Sequence, residues 1–511
     1  MGYILILSAL PAVALVGLAL YGGGPVAGIL AAFAAVPLST LWYLRLVIAI
    51  KRDFIGRIKP GRYSTRSLTF LRYWFLHYLM NNTRHLVMPL YATLYMPAFL
   101  RLLGAKIGKN VEISTVAHAM PDLLEIGEGS FLADACIVGG HRIDGGEIEL
   151  LPNRVGSRTF IGNSALVPAG INVGDDGLIG VLSTPPAEGN QTSRGTRWLG
   201  SPGFLLPGTE KATCFSNRQT FEPGFSRTCS RALVDLVRVL LPGAVSMAAL
   251  IAFCAAVYQS YYSSSVVLTL LLTPVFALAA VFMNLLMTVV VRRVFMPPFK
   301  PVVKPLWCSY VWFNEVVNAV YEAAAGPLLA PMLGTPYVVW FLRGLGSRIG
   351  KWVFLETSLM SEFDLVTIGD RAALNIGSTI QPHLFEDRVM KSDTINIGKY
   401  CSVGNMAIVL YGTRMERGAT LESLSVLMKG EALPRWSRWH GIPSQPYETG
   451  GVARARLRHK ASDTGPRLWR SSRSLRQWLP ALSPAASVGA IKTENDRVAA
   501  DANDNIHDTA A

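Results

Sequence analysis

Charge is scarce in this chain of 511 residues: Asp, Glu, Lys and Arg make up 16%, against 50% hydrophobic residues. With a mean hydropathy of +0.33, this excludes an ordinary soluble protein of such length and points to segments buried in a bilayer. Acidic residues are the scarcer sign, 34 against 48 Lys and Arg, for a formal net charge of +14. In a membrane protein that excess belongs first to cytoplasmic loops and lipid headgroups. No basic helix, zinc-finger spacing or aromatic-basic motif accompanies it, so nucleic acid is not an expected partner. Cysteine is sparse too. Cys136, Cys214, Cys229, Cys254, Cys308 and Cys401 form no CxxC pair, which excludes a disulfide framework and fits free thiols in a reducing compartment. Eight histidines are too few and too scattered to predict a multi-histidine zinc centre, so no metal is expected.

What the chain does have is a six-residue beat. Val155, Ile161, Val167, Val173 and Ile179 fall every sixth residue, and Gly156, Gly162, Gly174 and Gly180 follow four of them. The beat returns at Ile397, Val403, Val409, Met415 and Leu421. A period of six is neither helical nor a simple strand alternation; it is the hexapeptide repeat of a parallel β-helix. The two stretches are copies offset by 242 residues: Gly156 falls on Gly398, Asn163 on Asn405, Ile107-Gly108 on Ile349-Gly350 and His141 on His383. One offset held over this span means internal duplication.

The copies extend upstream of the hexads. Ile4 to Leu20 and Val26 to Ile50 are apolar runs separated by Tyr21-Gly-Gly-Gly-Pro25. The first lacks a basic leader and the second follows at once, so the pair reads as a membrane hairpin rather than a signal peptide. Val239 to Tyr258 and Val266 to Val291 read as the second hairpin, with Lys51 falling on Arg293. Basic residues follow each hairpin, from Lys51 to Arg66 and from Arg292 to Lys304. The positive-inside rule then places the soluble parts in the cytoplasm of a bacterial-type inner membrane, with lipid as a partner. The expected fold is four transmembrane α-helices in two hairpins plus two left-handed parallel β-helix domains. The expected division is a hairpin (1–52), an aromatic arm (53–103) that lies on the membrane or caps the coil, and a hexapeptide domain (104–210). The same order repeats as 233–293, 294–345 and 346–447, followed by a tail (448–511) expected to be basic, then disordered. Within the first domain, 185–197 reads as a mobile loop.

His141 and His383 are the histidines that the duplication repeats. Each precedes the regular hexads, and each is followed three residues on by a carboxylate, Asp144 or Glu386. A neutral imidazole can act as general base on an attacking amine or hydroxyl, with a carboxylate fixing its tautomer. A structural histidine in a loop leaving the coil is the plain alternative. Asp122, which falls on Asp364, reads as a turn or capping residue.

These hexads resemble the hexapeptide-repeat acyltransferases. With the membrane hairpins and the stretch Gln381-Pro-His-Leu-Phe-Glu-Asp-Arg-Val-Met-Lys391, residues 1–447 are similar to the C-terminal membrane region of poly-lysine-synthetase-type nonribosomal peptide synthetases. That resemblance implies acyl or aminoacyl transfer from a thioester to an amine or hydroxyl, in amide-bond formation. The chain shows no Gly-rich phosphate loop or carrier serine. No covalently bound cofactor is therefore expected, and the donor is acyl-CoA or a phosphopantetheine thioester. A carrier protein or adenylation-domain protein is the implied partner, and a homo-oligomer is in keeping with the family. His383 and Glu386 stand in the family-like context and are the better expectation for the base and its partner; His141 and Asp144 depart from it. The rival reading is a non-catalytic membrane assembly or export partner of a separate peptide synthetase.

Overall fold

A computed structural model describes residues 2–186, 189, 191–207 and 215–447. The loop expected over 185–197 lies partly, and the tail from 448 and Cys214 wholly, outside the described residues.

The hexads stack as coils. In the first repeat the strands form three mostly parallel sheets, such as Lys106–Ile107, Leu124–Ile126 and Asn153–Val155 side by side. The second repeat does the same, with Arg348–Ile349, Val366–Ile368, Ile395–Ile397, Arg414–Met415 and Ala432–Leu433 in one sheet. The beat residues point inward: Val155, Ile161, Val167, Val403, Val409 and Leu421 have no exposed surface. The corner glycines follow from stacking distance. A Cβ on Gly156 would sit 2.5 Å from the backbone nitrogen of Asp175 in the next coil, closer than any side chain tolerates.

The aromatic arms close the coils. Leu76, Leu79, Phe99 and Leu100 share one buried cluster with the coil residues Val111, Ile126 and Val155. In the second repeat Val317, Val338 and Leu342 join Ile368 and Ile397 in the same way. Burying so many aliphatic side chains is the main force holding each arm to its coil.

Three helices among the described residues are long and apolar enough to cross a membrane. The first, Gly2–Ala49, breaks at Gly24, whose φ of 70° and ψ of −168° leave the helix. The Trp42 indole nitrogen donates to the Leu7 carbonyl at 3.0 Å, so its two halves lie side by side. Phe225–Ser263 and Val266–Phe295 follow. Leu18, Val26, Leu270, Leu278 and Phe282 stand well exposed on these helices, as lipid-facing side chains do.

Phe225–Ser263 begins well before the apolar run that sequence marks from Val239. Its first turns carry Arg231, Asp235 and Arg238 into the protein. Arg231 is fully buried against Glu112 of the first repeat and beside Asp235, with its guanidinium 4.8 Å over the Trp307 ring. Arg238 donates to Glu315 of the second repeat at 2.8 Å. This helix therefore ties both repeats together through charges that cannot be left unpaired.

Each repeat clasps its long apolar helix to its coil with an aspartate. Lys51 lies 2.9 Å from Asp122, which also accepts from the Ile58 backbone nitrogen. Arg292 and the Phe299 nitrogen bind Asp364 equivalently. Lys51 thus corresponds to Arg292, not to Arg293 as a uniform offset predicts. The strands Gly61–Ser64 and Val302–Pro305 follow the same 241-residue spacing. By Arg101 and Arg343, which donate to the Ile107 and Ile349 carbonyls, the spacing is 242. Between these points the second repeat has a π-helical turn, Tyr321–Ala325, where the first has the uninterrupted α-helix Leu68–Leu86. A π-turn holds one more residue than an α-turn, which accounts for the extra position.

Candidate active site

In both repeats the chain leaves the coil as a two-stranded hairpin at the conserved-offset histidine. Arg142–Asp144 pairs with Glu147–Leu150, and His383–Glu386 with Val389–Ser392. The strand after each long apolar helix adds to the hairpin as a third member. The two histidines therefore sit at equivalent places, where a hairpin meets its coil under the arm helix. Their surroundings differ.

His383 Nδ1 lies 2.7 Å from Glu362 Oε2. Glu362 is itself fully buried and in the left-handed region at φ 36°. Asn314 Nδ2 donates to its Oε1 and Ser361 Oγ to its Oε2, each at 2.6 Å. Three donors on one carboxylate fix its orientation and keep it ionised. Burial works against that ionisation, yet His383 and the two hydrogen bonds outweigh it, and the Glu362 pKa falls below the ordinary value. Burial likewise opposes protonation of His383, but the Glu362 carboxylate prevails and raises the imidazole pKa. With Nδ1–H directed to Glu362, Nε2 is the nitrogen left to take a proton. The His383 side chain keeps 15% of its surface exposed, enough for a substrate atom to reach it.

Glu386 is not the partner of His383. It binds Lys391 at 2.8 Å and also Lys429. The reason is geometric: residues three apart on a strand face opposite sides, so His383 and Glu386 cannot converge.

The first repeat lacks this arrangement. Met120 stands where the second has Glu362, and His118 where it has Met360. The Tyr73 hydroxyl occupies His141 Nδ1. His77 and His118 meet through their Nδ1 atoms at 3.1 Å, and the rings of His77, His118 and His141 lie 5.0 to 5.7 Å apart between centroids. Burial, then its histidine neighbours, depresses His118 to about 4; burial and His77 also lower His141. Among the described residues no group of three His, Cys, Asp or Glu side chains is arranged to hold a metal ion. Asp144 pairs with Arg142 on the open surface, away from His141 for the same strand-geometry reason as Glu386.

The second-repeat site also receives residues from the first repeat. Phe385 stacks on Phe131 with centroids 5.3 Å apart, and Asp134 acts electrostatically on His383. Asp134 is held by Ser114 and by Thr115 Oγ1, the latter at 2.7 Å. Glu322, on the π-turn, is exposed to solvent, and Asp134, Arg238 and His383 act on it electrostatically. Sequence reasoning missed Glu362, Asn314, Ser361, Asp134 and Glu322, because it searched for what the two copies share.

The hairpin tip is unusual. Asp387 and Arg388 both have positive φ, 47° and 60°, forming a two-residue turn between Glu386 and Val389. The first repeat uses Gly145 and Gly146 there, as such turns prefer. A non-glycine residue in this region costs roughly 1–2 kcal/mol. Arg388 is nonetheless buried. It donates to the carbonyls of Gly129 at 3.1 Å, Ser130 at 3.2 Å, Thr220 at 3.5 Å and Asn110, and lies 5.4 Å over the Phe221 ring. Burial lowers its pKa to about 10, which still leaves it charged. A recess of about 800 Å³ beside the tip contains Arg158 and Arg194, already paired with Glu222 and Asp176.

No protein-family model matches the chain. The chain is similar to a poly-ornithine synthetase. Over 420 residues, 81% of its length, it is 34% identical to the Delta-poly-L-ornithine synthetase of Acinetobacter baumannii. It spans about a third of that relative, 31% of its length. The resemblance to synthetases of this type, read from the hexads and the His383 stretch, therefore stands on a curated relative. Among solved structures, a maltose O-acetyltransferase from Clostridium difficile 630 aligns at 16% identity, covering 30% of this chain and 95% of its own, with a TM-score of 0.22. An N-acyltransferase from Bacillus cereus, in complex with dTDP and 3-hydroxybutyryl-CoA, aligns at 10% identity over 72% of this chain and 96% of its own, TM-score 0.16.

Proposed function

We propose that this chain is a membrane-anchored acyltransferase whose working site is in the second repeat. Each half of the Gly24-broken helix crosses the bilayer, giving four crossings with both coils, of the left-handed type, on the cytoplasmic face. His383 is the general base, and Glu362 holds its tautomer and stabilises the imidazolium. The donor is a thioester, of coenzyme A or of a carrier protein's phosphopantetheine arm, and the acceptor is an amine or hydroxyl.

Nε2 of His383 removes a proton as the acceptor nitrogen or oxygen attacks the thioester carbon. The new C–N or C–O bond forms, the C–S bond breaks, and the imidazolium returns its proton to the leaving thiolate. The aminoacyl form of this reaction makes an amide, in keeping with the synthetase relative.

The observation that carries this reading is the buried, triply hydrogen-bonded Glu362 on His383 Nδ1. A histidine that merely packed would have no need of a preorganised carboxylate. The test is thiol release from acetyl-CoA and from aminoacyl-N-acetylcysteamine thioesters, with the full chain in detergent and His383→Ala as control. Acceptor-dependent release by the wild type and none by the variant is expected. Equal background rates from both with every donor would end the enzyme reading.

A further inference from the structure

The residue that anchors the catalytic hairpin lies on neither the coil nor the arm of its own repeat. Arg388 stands five residues beyond His383 on the same short hairpin. Its side chain reaches out of the second repeat to the carbonyls of Asn110, Gly129 and Ser130, at one corner of the first coil, and of Thr220 in the connecting segment. Phe385, between His383 and the tip, lies flat on Phe131 of the same coil. The strand Val302–Pro305 pairs along the hairpin's other edge, so the hairpin is stiff from base to tip.

The turn itself shows that this reach is not a by-product of folding. Glycines serve the same turn in the first repeat, and an arginine there is conformationally unfavourable. Burying a guanidinium is also costly, and carbonyl acceptors, with the charge of Glu112 nearby, offset it here. Its carbonyl accepts from the Leu306 nitrogen of its own repeat at 2.9 Å, as any residue at this place could; its side-chain hydrogen bonds all go to the first coil and the connecting segment.

We infer that Arg388 is a positioning residue for the second-repeat site: by locking the hairpin tip to the first coil, it sets His383 against Glu362. The first repeat then works as the fixed support of a site it does not itself carry. This rests on the assignment of His383 as the base, but it is testable without any substrate. The groups facing His383 are Glu362 from the coil loop, Glu315 and Glu322 from the arm, and Asp134 from the first repeat. Freeing the hairpin moves the imidazole relative to all four.

The informative variant is Arg388→Gly. It installs the residue the turn prefers, so the hairpin keeps its fold while losing its anchor; Arg388→Lys keeps a cation with fewer donors. Diethylpyrocarbonate modification of His383, read by mass spectrometry across pH in the full chain, reports both its access and its proton affinity. The expected result is a midpoint above 6.5 in the wild type. In Arg388→Gly the midpoint shifts towards 6.5 and modification is faster by about tenfold, with Arg388→Lys between the two. In the thioester assay, kcat should fall by about 10²-fold, the scale of a misplaced catalytic group, with KM nearly unchanged. A wild-type midpoint and rate in Arg388→Gly would overturn the inference whatever the assay gives. Absence of thioester turnover by the wild type, with the modification shift present, would count against the proposed reaction alone.

Discussion

Glu362 and His383 are joined carboxylate to imidazole at 2.7 Å, although they are 21 residues apart and belong to successive turns of the coil. The pair is made by the coil's pitch, which brings the Ser361–Glu362 corner beneath the base of the hairpin. Each partner shifts the other: the acid becomes stronger and the base becomes more basic.

Glu362→Gln removes the charge while keeping the shape. Burial is then opposed only by the weaker pull of Asp134 and Glu315 and favours the neutral ring. Since the base must be neutral to accept a proton, the rate of the wild type should rise with pH through the raised His383 pKa. In the variant this limb should shift down by about 1–3 units, with kcat reduced because the tautomer is no longer fixed. A pH–rate profile of kcat decides it; an unmoved limb would remove Glu362 from the mechanism.

The same pair makes a stability prediction. Its contribution is fully present between the ordinary carboxylate and imidazole ranges, where Glu362 is ionised and His383 protonated in both folded and unfolded chains. It is lost as pH rises through the folded His383 pKa, and lost as pH falls through the folded Glu362 pKa. Thermal melts of wild type and Glu362→Gln from pH 4 to 9 should therefore differ most near pH 5.5 (about midway between the reference values) and converge on either side.

Glu386→Gln should leave the pH limb of His383 where it is. The Glu386 carboxylate is engaged by Lys391 and Lys429, so its loss loosens the hairpin's outer edge and nothing at the imidazole. A shifted limb would show that the two residues communicate after all.

His141→Gln should leave thioester turnover within about twofold of the wild type, the scale expected of a change outside the reacting pair. His141 binds a phenol, not a carboxylate, and its repeat has Met120 where the second has Glu362. Loss of turnover in this variant, with folding intact, would move the chemistry to the first repeat.

Lys51→Met leaves Asp122 buried without its cation and should destabilise the chain by about 3–5 kcal/mol. Both side chains are nearly inaccessible, at 6% and 4% exposure. Replacing both, as Lys51→Met with Asp122→Leu, should recover part of the loss, because the unpaired charge is what costs most. Melting in detergent, compared across the single and double variants, measures this.

The coil was legible because its physics is local. An aliphatic residue must point inward every sixth position, and a glycine must stand where coils touch, so Val155 and Gly156 announce the fold without any knowledge of the rest. Asp122 was legible only as a turn residue, since nothing in its neighbourhood of sequence names Lys51, 71 positions away, as its partner. The site was half legible. Duplication drew attention to His141 and His383, which share a frame, and away from Glu362, which distinguishes one copy from the other. Choosing Glu386 followed chain proximity; strand geometry forbids that contact, and the coil supplies another. Comparing the copies for their differences, Met120 against Glu362 and His118 against Met360, would have found the acid.

The wide turn at Tyr321–Ala325 has a consequence for how the two halves of this gene can change. An added codon in a helix would ordinarily swing one end by about 100° relative to the other, and either Asn314 would leave Glu362 or Arg343 would leave the coil. Here the extra residue is absorbed within one turn, and both flanks keep their stations. The turn acts as a length buffer, and the slack it takes up is where Glu322 sits. A new carboxylate could thus come within electrostatic reach of His383 through a change of length rather than by substitution at a position already committed to packing.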